Sequence, residues 1–338
     1  MKVSEFFYEL PPHLIAQEGV EPRDSSRLLV LKRKSGEIIH IPAFREIINL
    51  LNPGDVLVLN DTEVIPAKLR GRKDTGGKIE ALILEEEKNG LFTVLLRPSR
   101  RIDVGRRIIF SSPTGEEISC ELVGREKGFW KLKFPEGISP FSFGELPLPP
   151  YIKKPLKNSS RYQTVYARKK GSLAAPTAGL HFTPMLLEAL EKKGVEIVYI
   201  TLKVGLGTFK PLRTENVEEH KMDEEEFEIS EESAEKINKA KEERRRVIGV
   251  GTTVVRALES AEENGRVKAG RQSTSLFIYP GYQFKIIDAL ITNFHLPAST
   301  PLLLTCAFAG KELIFKAYEE AKGLGYRFLS LGDAMFII

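Results

Sequence analysis

The period of the apolar residues changes along this chain, and each change marks a boundary. Residues 28–60 hold the short apolar runs LLVL, EIIHI and VLVLND, separated by Lys34, Ser35, Gly36, Pro53 and Gly54. Runs of that length between turn residues predict strands. From about Ile65 to Phe134 the runs are AKLRGR, GKIEALILEE, LFTVLLRP, RRIIFS, EISCELVG and FWKLKF, divided by DTGG, KNG, SPTGE and EKG. Evenly spaced short strands with almost no helical pattern predict a small closed or sandwiched β domain.

After the proline-rich break FGELPLPPYIKKP, helix and strand alternate. Residues 182–193 predict a helix with Thr183 as N-cap and Pro184 at its first position, and Gly194 stops it before the strand VEIVYITLKV. Ser230 caps EESAEKINKAKEERRR, whose basic end complements the helix dipole. VIGVG reads as a buried strand, followed by a helix from near Thr253 to Glu263. The tail predicts a strand at FKIIDALI, a helix capped by Thr300 with Pro301 behind it, a second helix from Lys311, and YRFLSL as the last strand. Alternation on both sides of an all-β stretch predicts an α/β domain with an inserted all-β, barrel-like domain. The expected boundaries are 1–61 and 153–338 for a discontinuous α/β catalytic domain and 62–152 for the insertion.

With 338 residues, 42% hydrophobic and 28% charged, the chain can bury two cores. A net charge of +4 is too small to argue for nucleic acid by itself. Its distribution says more, because residues 151–187 contain no acid while residues 218–235 carry a compensating acidic load. RPSRR, KKPLK and RYQTVYARKK mix Lys, Arg and Tyr, the side chains that contact phosphates and stack on unpaired bases. Candidate RNA contacts are therefore Arg97, Arg100, Arg101, Lys153, Lys154, Arg161, Tyr162, Arg168 and Lys169, and a merely solvated charged surface fits the same residues. Two distant cysteines suit a reducing compartment, and neither they nor the five histidines show a metal-ligand spacing, so no metal is expected. No apolar run is long enough to cross a bilayer and the start MKVSEFFYELPPHLIAQ lacks the shape of a signal peptide, so the expected location is the cytoplasm. Monomer and homodimer both remain open.

Four loops could carry chemistry. Residues 173–183, LAAPTAGLHFT, contain Pro176 and Gly179 and no acid, lysine or arginine. Such a loop is too apolar for an ordinary solvated one; a pocket wall offering Thr177, Gly179, His181, Phe182 and Thr183 fits it, and so does a buried crossover. KVGLGTF, residues 203–209, runs a strand into Gly205, Gly207, Thr208 and Phe209, where backbone can approach a ligand closely. VIGVGTTVVR, residues 247–256, places Gly251, Thr252, Thr253 and Arg256 at a helix start that suits an anion, without the helix-side glycine of a dinucleotide fingerprint. TNFHLPAST, residues 292–300, puts Asn293, Phe294 and His295 at the end of a buried strand, where ligands of α/β sheets bind. Asn60 and Asp61 close VLVLND in the same manner, and Asp61 suits ribose hydroxyls.

RDSSRLLVL, PGDVLVLNDTEVIPAKL, LPLPPYI, RYQTVYA, APTAGLHFT, VGLGTF, VGTTVVRALES, FIYPGY, TNFHLPAST and YRFLSLGDAM occur in order, within a match that runs from Tyr8 to Met335. Together they resemble the S-adenosylmethionine:tRNA ribosyltransferase-isomerase family of queuosine biosynthesis. The resemblance implies an α/β domain interrupted by a β-barrel. It also implies S-adenosylmethionine as a ribosyl-donating co-substrate, with tRNA bearing 7-aminomethyl-7-deazaguanine at the wobble position as acceptor. Epoxyqueuosine-tRNA, adenine and methionine are the implied products. Three positions depart from the family's usual residues: Lys203 and Asp223 stand where histidines are usual, and Glu63 where an arginine is.

That chemistry requires a base and an acid, because a proton leaves the carbon beside the sulfonium while adenine departs. His181 and His295 are the expected pair, with His220 in reserve, and the remaining loop residues named above are the expected substrate contacts. An S-adenosylmethionine-dependent RNA methyltransferase would share the co-substrate but needs a glycine-rich first loop that this chain lacks. A non-catalytic tRNA-binding protein would account for the basic strip alone.

Overall fold

The computed structural model describes residues 1–99, 102–205, 207 and 212–338. Thr208, Phe209, Arg100 and Arg101, four of the expected contacts, lie outside the described residues. The chain divides into two compact units, one of Met1–Glu63, Pro150–Lys169 and Ala175–Ile338, the other of Val64–Pro149 with Lys170–Ala174.

The larger unit is built on a nine-stranded mixed sheet. Its strands are β1 (Leu28–Lys32), β2 (Glu37–Ile41), β3 (Val56–Asn60), β4 (Glu196–Leu202), β5 (Glu225–Ile229), β6 (Val247–Val250), β7 (Gly270–Thr274), β8 (Ala289–Asn293) and β9 (Ala334–Ile337). They lie in the order β7-β5-β4-β3-β6-β8-β9-β1-β2. The central four, β4, β3, β6 and β8, are mutually parallel. β3 and β8 are buried at every position, so both read as continuous apolar runs. The chain leaves β3 toward β4 on one side and leaves β6 toward β8 on the other, which makes the β3/β6 crevice a topological switch point.

Helices α1 (Pro184–Lys192), α2 (Glu231–Glu242), α3 (Thr252–Ser260), α4 (Thr300–Ala309) and α5 (Lys311–Gly323) complete this unit. Thr183 caps α1 by accepting the Leu186 amide at 3.2 Å, and Gly194 ends the segment at φ 93°, a conformation that costs glycine nothing. α1 presses Leu186, Leu187 and Leu190 onto Leu57, Leu59, Ile248, Val250 and Ile291. Each such side chain contributes roughly 1.5–3 kcal/mol on burial, so this face fixes how the strand ends are presented.

The smaller unit is a closed antiparallel barrel. Its strands run in the order Lys68–Lys73, Lys78–Glu86, Leu91–Arg97, Phe129–Lys133, Glu117–Glu126 and Arg107–Ser111, and the last pairs back with the first. Strict alternation, seen in Ile118, Cys120 and Leu122 buried between exposed neighbours, fills its interior. At the closing seam Gly71 lies opposite Phe110, and a Cβ there would sit 2.1 Å from the Ile109 carbonyl oxygen, so only glycine lets the barrel close.

Several elements differ from the sequence expectation, each for a local reason. YRFLSL is not a strand: it is a buried irregular segment with Leu329 at φ 71°, and the last strand is β9. In FKIIDALI only Ala289 onward is strand, because the Glu259 carboxylate takes the amides of Lys285, Ile286 and Ile287. α3 ends at Ser260, and Glu262–Glu263 pairs with Arg266–Val267 in a short hairpin. α4 starts one residue earlier than expected, with Ser299 rather than Thr300 at the cap.

Candidate active site

The four central strands end on one edge of the sheet, and the described parts of the expected loops meet there. Asn60 knits that edge together. Its Nδ2 donates to the Leu202 carbonyl at 3.0 Å and to Thr253 Oγ1 at 3.3 Å, while its Oδ1 accepts the amides of Leu202 and Thr62 at 3.0 and 3.2 Å. The side chain thereby ties β3, β4 and the start of α3 across the switch point. Asp61 beside it accepts from Thr201 Oγ1 at 2.5 Å and Arg168 Nε at 2.6 Å. Arg168 in turn lies 4.7 Å over the Tyr199 ring, so both carboxylate oxygens serve a local clasp, while the arginine side chain itself stays 59% exposed.

The dry loop forms a 3₁₀ turn, Thr177–His181, buried at every position except Thr177. Ala178 Cβ sits 3.6 Å from where a Cβ on Gly251 would be, which seats the turn on the end of β6. Gly179 is required there, because a Cβ would meet the Tyr166 hydroxyl at 1.9 Å. Thr183 caps α1 and donates to Asp24 at 2.9 Å.

His181 is buried and held at both nitrogens, by Ser26 Oγ at 2.7 Å on Nδ1 and Asn293 Nδ2 at 3.2 Å on Nε2. Asn293 Nδ2 also donates to the Leu329 carbonyl at 3.1 Å, which fixes the amide's orientation. Nε2 therefore accepts and Nδ1 carries the proton. Burial, with Arg161 and Arg327 nearby, pushes the imidazole pKa down to about 3, so the ring is neutral with its lone pair engaged.

His295 hangs on the neighbouring residue instead, with Nε2 2.8 Å from Thr292 Oγ1. Successive strand side chains point to opposite faces, and Ile291 belongs to the core under α1, so Asn293 and His181 lie on the α1 face and Thr292 with His295 on the other. The expected histidine pair is thus not brought into one network. Enclosure by protein lowers His295 to about 3 as well.

Among the described residues, two hollows open at this edge. One is lined by Val20, Ser26, Arg161, Leu180, His181, Ser330, Leu331 and Gly332. The other, the larger, is lined by Met222, Thr252, Thr253, Arg256, Leu276, Phe277, Ile278, Thr300, Pro301 and Leu304. Apolar walls with a few convergent polar groups are the usual composition of a small-molecule site. Arg256 is buried against Glu225: one terminal nitrogen donates to Glu225 Oε2 and Nε donates to the Leu276 carbonyl at 3.0 Å. Glu225 Oε1 accepts the Gly205 amide at 2.8 Å, so the pair also anchors the KVGLGTF loop. Nη2 of Arg256 is buried without a partner among the described residues. His220 is half-buried with its ring 5.0 Å from that of Phe277, a wall of this hollow. Gly207 lies close to Asp223, whose Oδ2 is 3.0 Å from the position of a Cβ on that glycine.

Some expected contacts belong to the core instead. Phe182 stands edge-on to Phe44 at 5.0 Å and Phe294 packs on Phe328 at 4.7 Å; both are fully buried, so neither ring reaches a ligand. Tyr162 is fully buried too and offers no face to a base. Arg161 turns inward, pairing with Glu21 at 2.7 Å and donating to the Val20 carbonyl at 2.9 Å, because the 3₁₀ turn Ser159–Tyr162 points it toward the His181 hollow. Arg97, Lys153, Lys154, Arg168 and Lys169 are exposed. Sequence reasoning did not select Ser26, Met222, Glu225, Phe277 or Ser330. Ser26 and Phe277 stand within RDSSRLLVL and FIYPGY, and those motifs were the available signal.

An α/β sheet with its polar loops gathered over a switch point, interrupted by a six-stranded barrel, defines a composite fold with a candidate ligand site at its strand ends. A family model for queuosine biosynthesis protein matches residues 3–337, and the chain belongs to that family. A protein of Carboxydothermus hydrogenoformans called S-adenosylmethionine:tRNA ribosyltransferase-isomerase is 54% identical over 341 residues, covering all of both chains. One of the same name from Thermotoga maritima is 51% identical over 343 residues, again over the whole of both. The crystal structure of S-adenosylmethionine tRNA ribosyltransferase from Thermotoga maritima superposes with a TM-score of 0.57 at 40% identity, covering 99% of this chain and 100% of that one.

Proposed function

We propose that this enzyme transfers the ribosyl unit of S-adenosylmethionine to the aminomethyl group of 7-aminomethyl-7-deazaguanine at the wobble position of tRNA and isomerises it there. Adenine and methionine leave, and epoxyqueuosine remains in the tRNA. Membership of the family over almost the whole chain supports the reaction. The reaction takes place in the cytoplasm, where tRNA and S-adenosylmethionine are both available.

The unpartnered Nη2 of Arg256 carries the assignment of the co-substrate to the larger hollow. A buried guanidinium N–H without an acceptor costs about 1–3 kcal/mol, which a ligand oxygen offsets. The methionyl carboxylate is such a ligand, and the N-terminus of α3 at Thr252 and Thr253 faces the same hollow. Phe277 and Leu304 offer apolar surface to the adenosyl part. His220, next to Phe277, is the histidine placed to move a proton during ring opening. His181, with both nitrogens occupied, positions its neighbours. Lys153, Lys154, Arg168, Lys169 and Arg97 remain the tRNA contacts.

The test is Arg256→Lys and Arg256→Ala, with adenine release followed against S-adenosylmethionine concentration. KM is expected to rise in both, more in the alanine variant. An unchanged KM in folded protein removes the co-substrate from this hollow.

A further inference from the structure

The smaller hollow is rich in donors, and the hydrogen-bond pattern shows where one of them points. Asn293 spends its two amide hydrogens on Leu329 and on His181 Nε2, so His181 Nδ1 donates to Ser26 Oγ. Ser26 is 2% exposed and accepts at its oxygen, so its own hydroxyl hydrogen is left to face the hollow that Ser26 lines. Arg161 lines the same hollow with a side chain that is 13% exposed. Arg327 stands behind it, 3.7 Å from Asp333. Burial depresses the His181 pKa most, and the Arg161 and Arg327 guanidinium groups depress it further, so both cations act on the ring. Glu21 lies at the solvent side, with 69% of its side chain exposed.

We infer that the hollow formed by Ser26, Arg161, His181 and Ser330 is an oxyanion subsite that takes one backbone phosphate of the tRNA next to the reacting nucleotide. Ser26 donates its hydroxyl to a non-bridging oxygen, and Arg161 supplies the charge. His181 acts as a positioning residue, because its Nδ1–H turns the Ser26 hydroxyl inward. A neutral, capped imidazole suits that role and not proton transfer. The two hollows then divide the work, the larger holding the small co-substrate and the smaller registering the RNA.

This inference rests on the proposed reaction, and its test separates the two. Binding of an anticodon stem-loop RNA is measured for wild type and for Ser26→Ala, with methylphosphonate replacing one phosphate at a time. Loss of the Ser26 hydroxyl is expected to weaken RNA binding about 10- to 100-fold, the worth of one hydrogen bond to a charged acceptor, without changing KM for S-adenosylmethionine. One neutral linkage should produce at least this loss in wild type, because it also removes the charge that Arg161 meets, and a smaller further loss in Ser26→Ala. Inorganic phosphate at millimolar concentration should move the His181 ring nitrogen resonances in wild type and not in Ser26→Ala. Wild-type RNA affinity in folded Ser26→Ala overturns the inference, as does a rise in KM for S-adenosylmethionine alone, which would place that ligand's carboxylate here. If Ser26→Ala does not fold, the linkage scan on wild type decides, and a scan in which no single phosphate matters overturns it. Absence of adenine release by wild type with precursor RNA is a separate result that strikes the proposed reaction and leaves the phosphate site standing on its binding data.

Discussion

The two hollows share one sheet edge and differ in nearly every physical respect. The larger is walled by Phe277, Ile278, Leu276 and Leu304, and its buried charge pair, Arg256 with Glu225, leaves a nitrogen unpaired among the described residues. The smaller sets two hydroxyls, a guanidinium and an imidazole, their partners mostly satisfied, among Val20, Leu180 and Leu331. Apolar walls strengthen electrostatic interactions and exclude water from a reactive sulfonium ylide, whereas a donor-rich, partly open hollow suits a phosphate that arrives already solvated. A histidine therefore means different things on the two sides. His220 stands half-buried by an apolar wall, while His181 is locked between Ser26 and Asn293.

That contrast can be broken most sharply at the histidines. His220→Ala is expected to lower kcat by about 10²- to 10⁴-fold, the usual worth of a general acid or base, with S-adenosylmethionine binding retained. Single-turnover adenine release measures it, and a loss of less than about 3-fold would leave His220 outside the chemistry. Arg256→Ala is expected to reduce kcat/KM for S-adenosylmethionine by about 10- to 100-fold, from a charged hydrogen bond worth roughly 1.5–3 kcal/mol. It also leaves Glu225 buried without its partner, so its urea midpoint should fall; Arg256→Lys should recover part of both losses.

Charge reversal of the exposed Lys153 and Lys154 is expected to weaken tRNA binding and to flatten its dependence on salt, by about one unit of slope for each phosphate no longer neutralised. A salt slope equal to wild type would remove those lysines from the RNA surface. A further effect concerns pH and reads stability instead of activity. His181 titrates near 6.5 when unfolded and about 3 when folded, so between those values the unfolded chain takes up a proton that the folded ring refuses. Its contribution to stability is complete above about pH 6.5 and is lost as pH falls, by up to about 1.4 kcal/mol per pH unit. Urea unfolding of wild type and His181→Gln between pH 7.5 and 4.5 measures this, and the variant should lose less stability on acidification.

Much of the fold was legible because local rules and burial agree. The barrel strands follow alternation with glycine turns between them, and α1 follows Thr183, Pro184 and Gly194. Misreadings fall where burial and regular structure part company. YRFLSL is apolar like a strand, yet the Asp333 carboxylate takes the amides of Arg27 and Arg327 and holds that segment as a loop around the end of β9. The basic strip shows the limit of charge counting, since Arg161 and Tyr162 lie within it and turn inward while Lys153 and Lys154 remain outside. For the site, the loops were legible because they end parallel strands, whereas the separation of His181 from His295 depends on strand parity at Thr292 and Asn293. Ser26 and Glu225 act through partners far away in sequence, His181 and Arg256, and no local pattern announces such pairs.

The central claim is the reaction itself. Purified enzyme incubated with S-adenosylmethionine and tRNA bearing the aminomethyl-deazaguanine, followed by nucleoside and small-molecule analysis, tests it most directly. Epoxyqueuosine in the tRNA with matching amounts of free adenine and methionine is the expected result. Methylated RNA with S-adenosylhomocysteine, or bound tRNA with no adenine released, would contradict it.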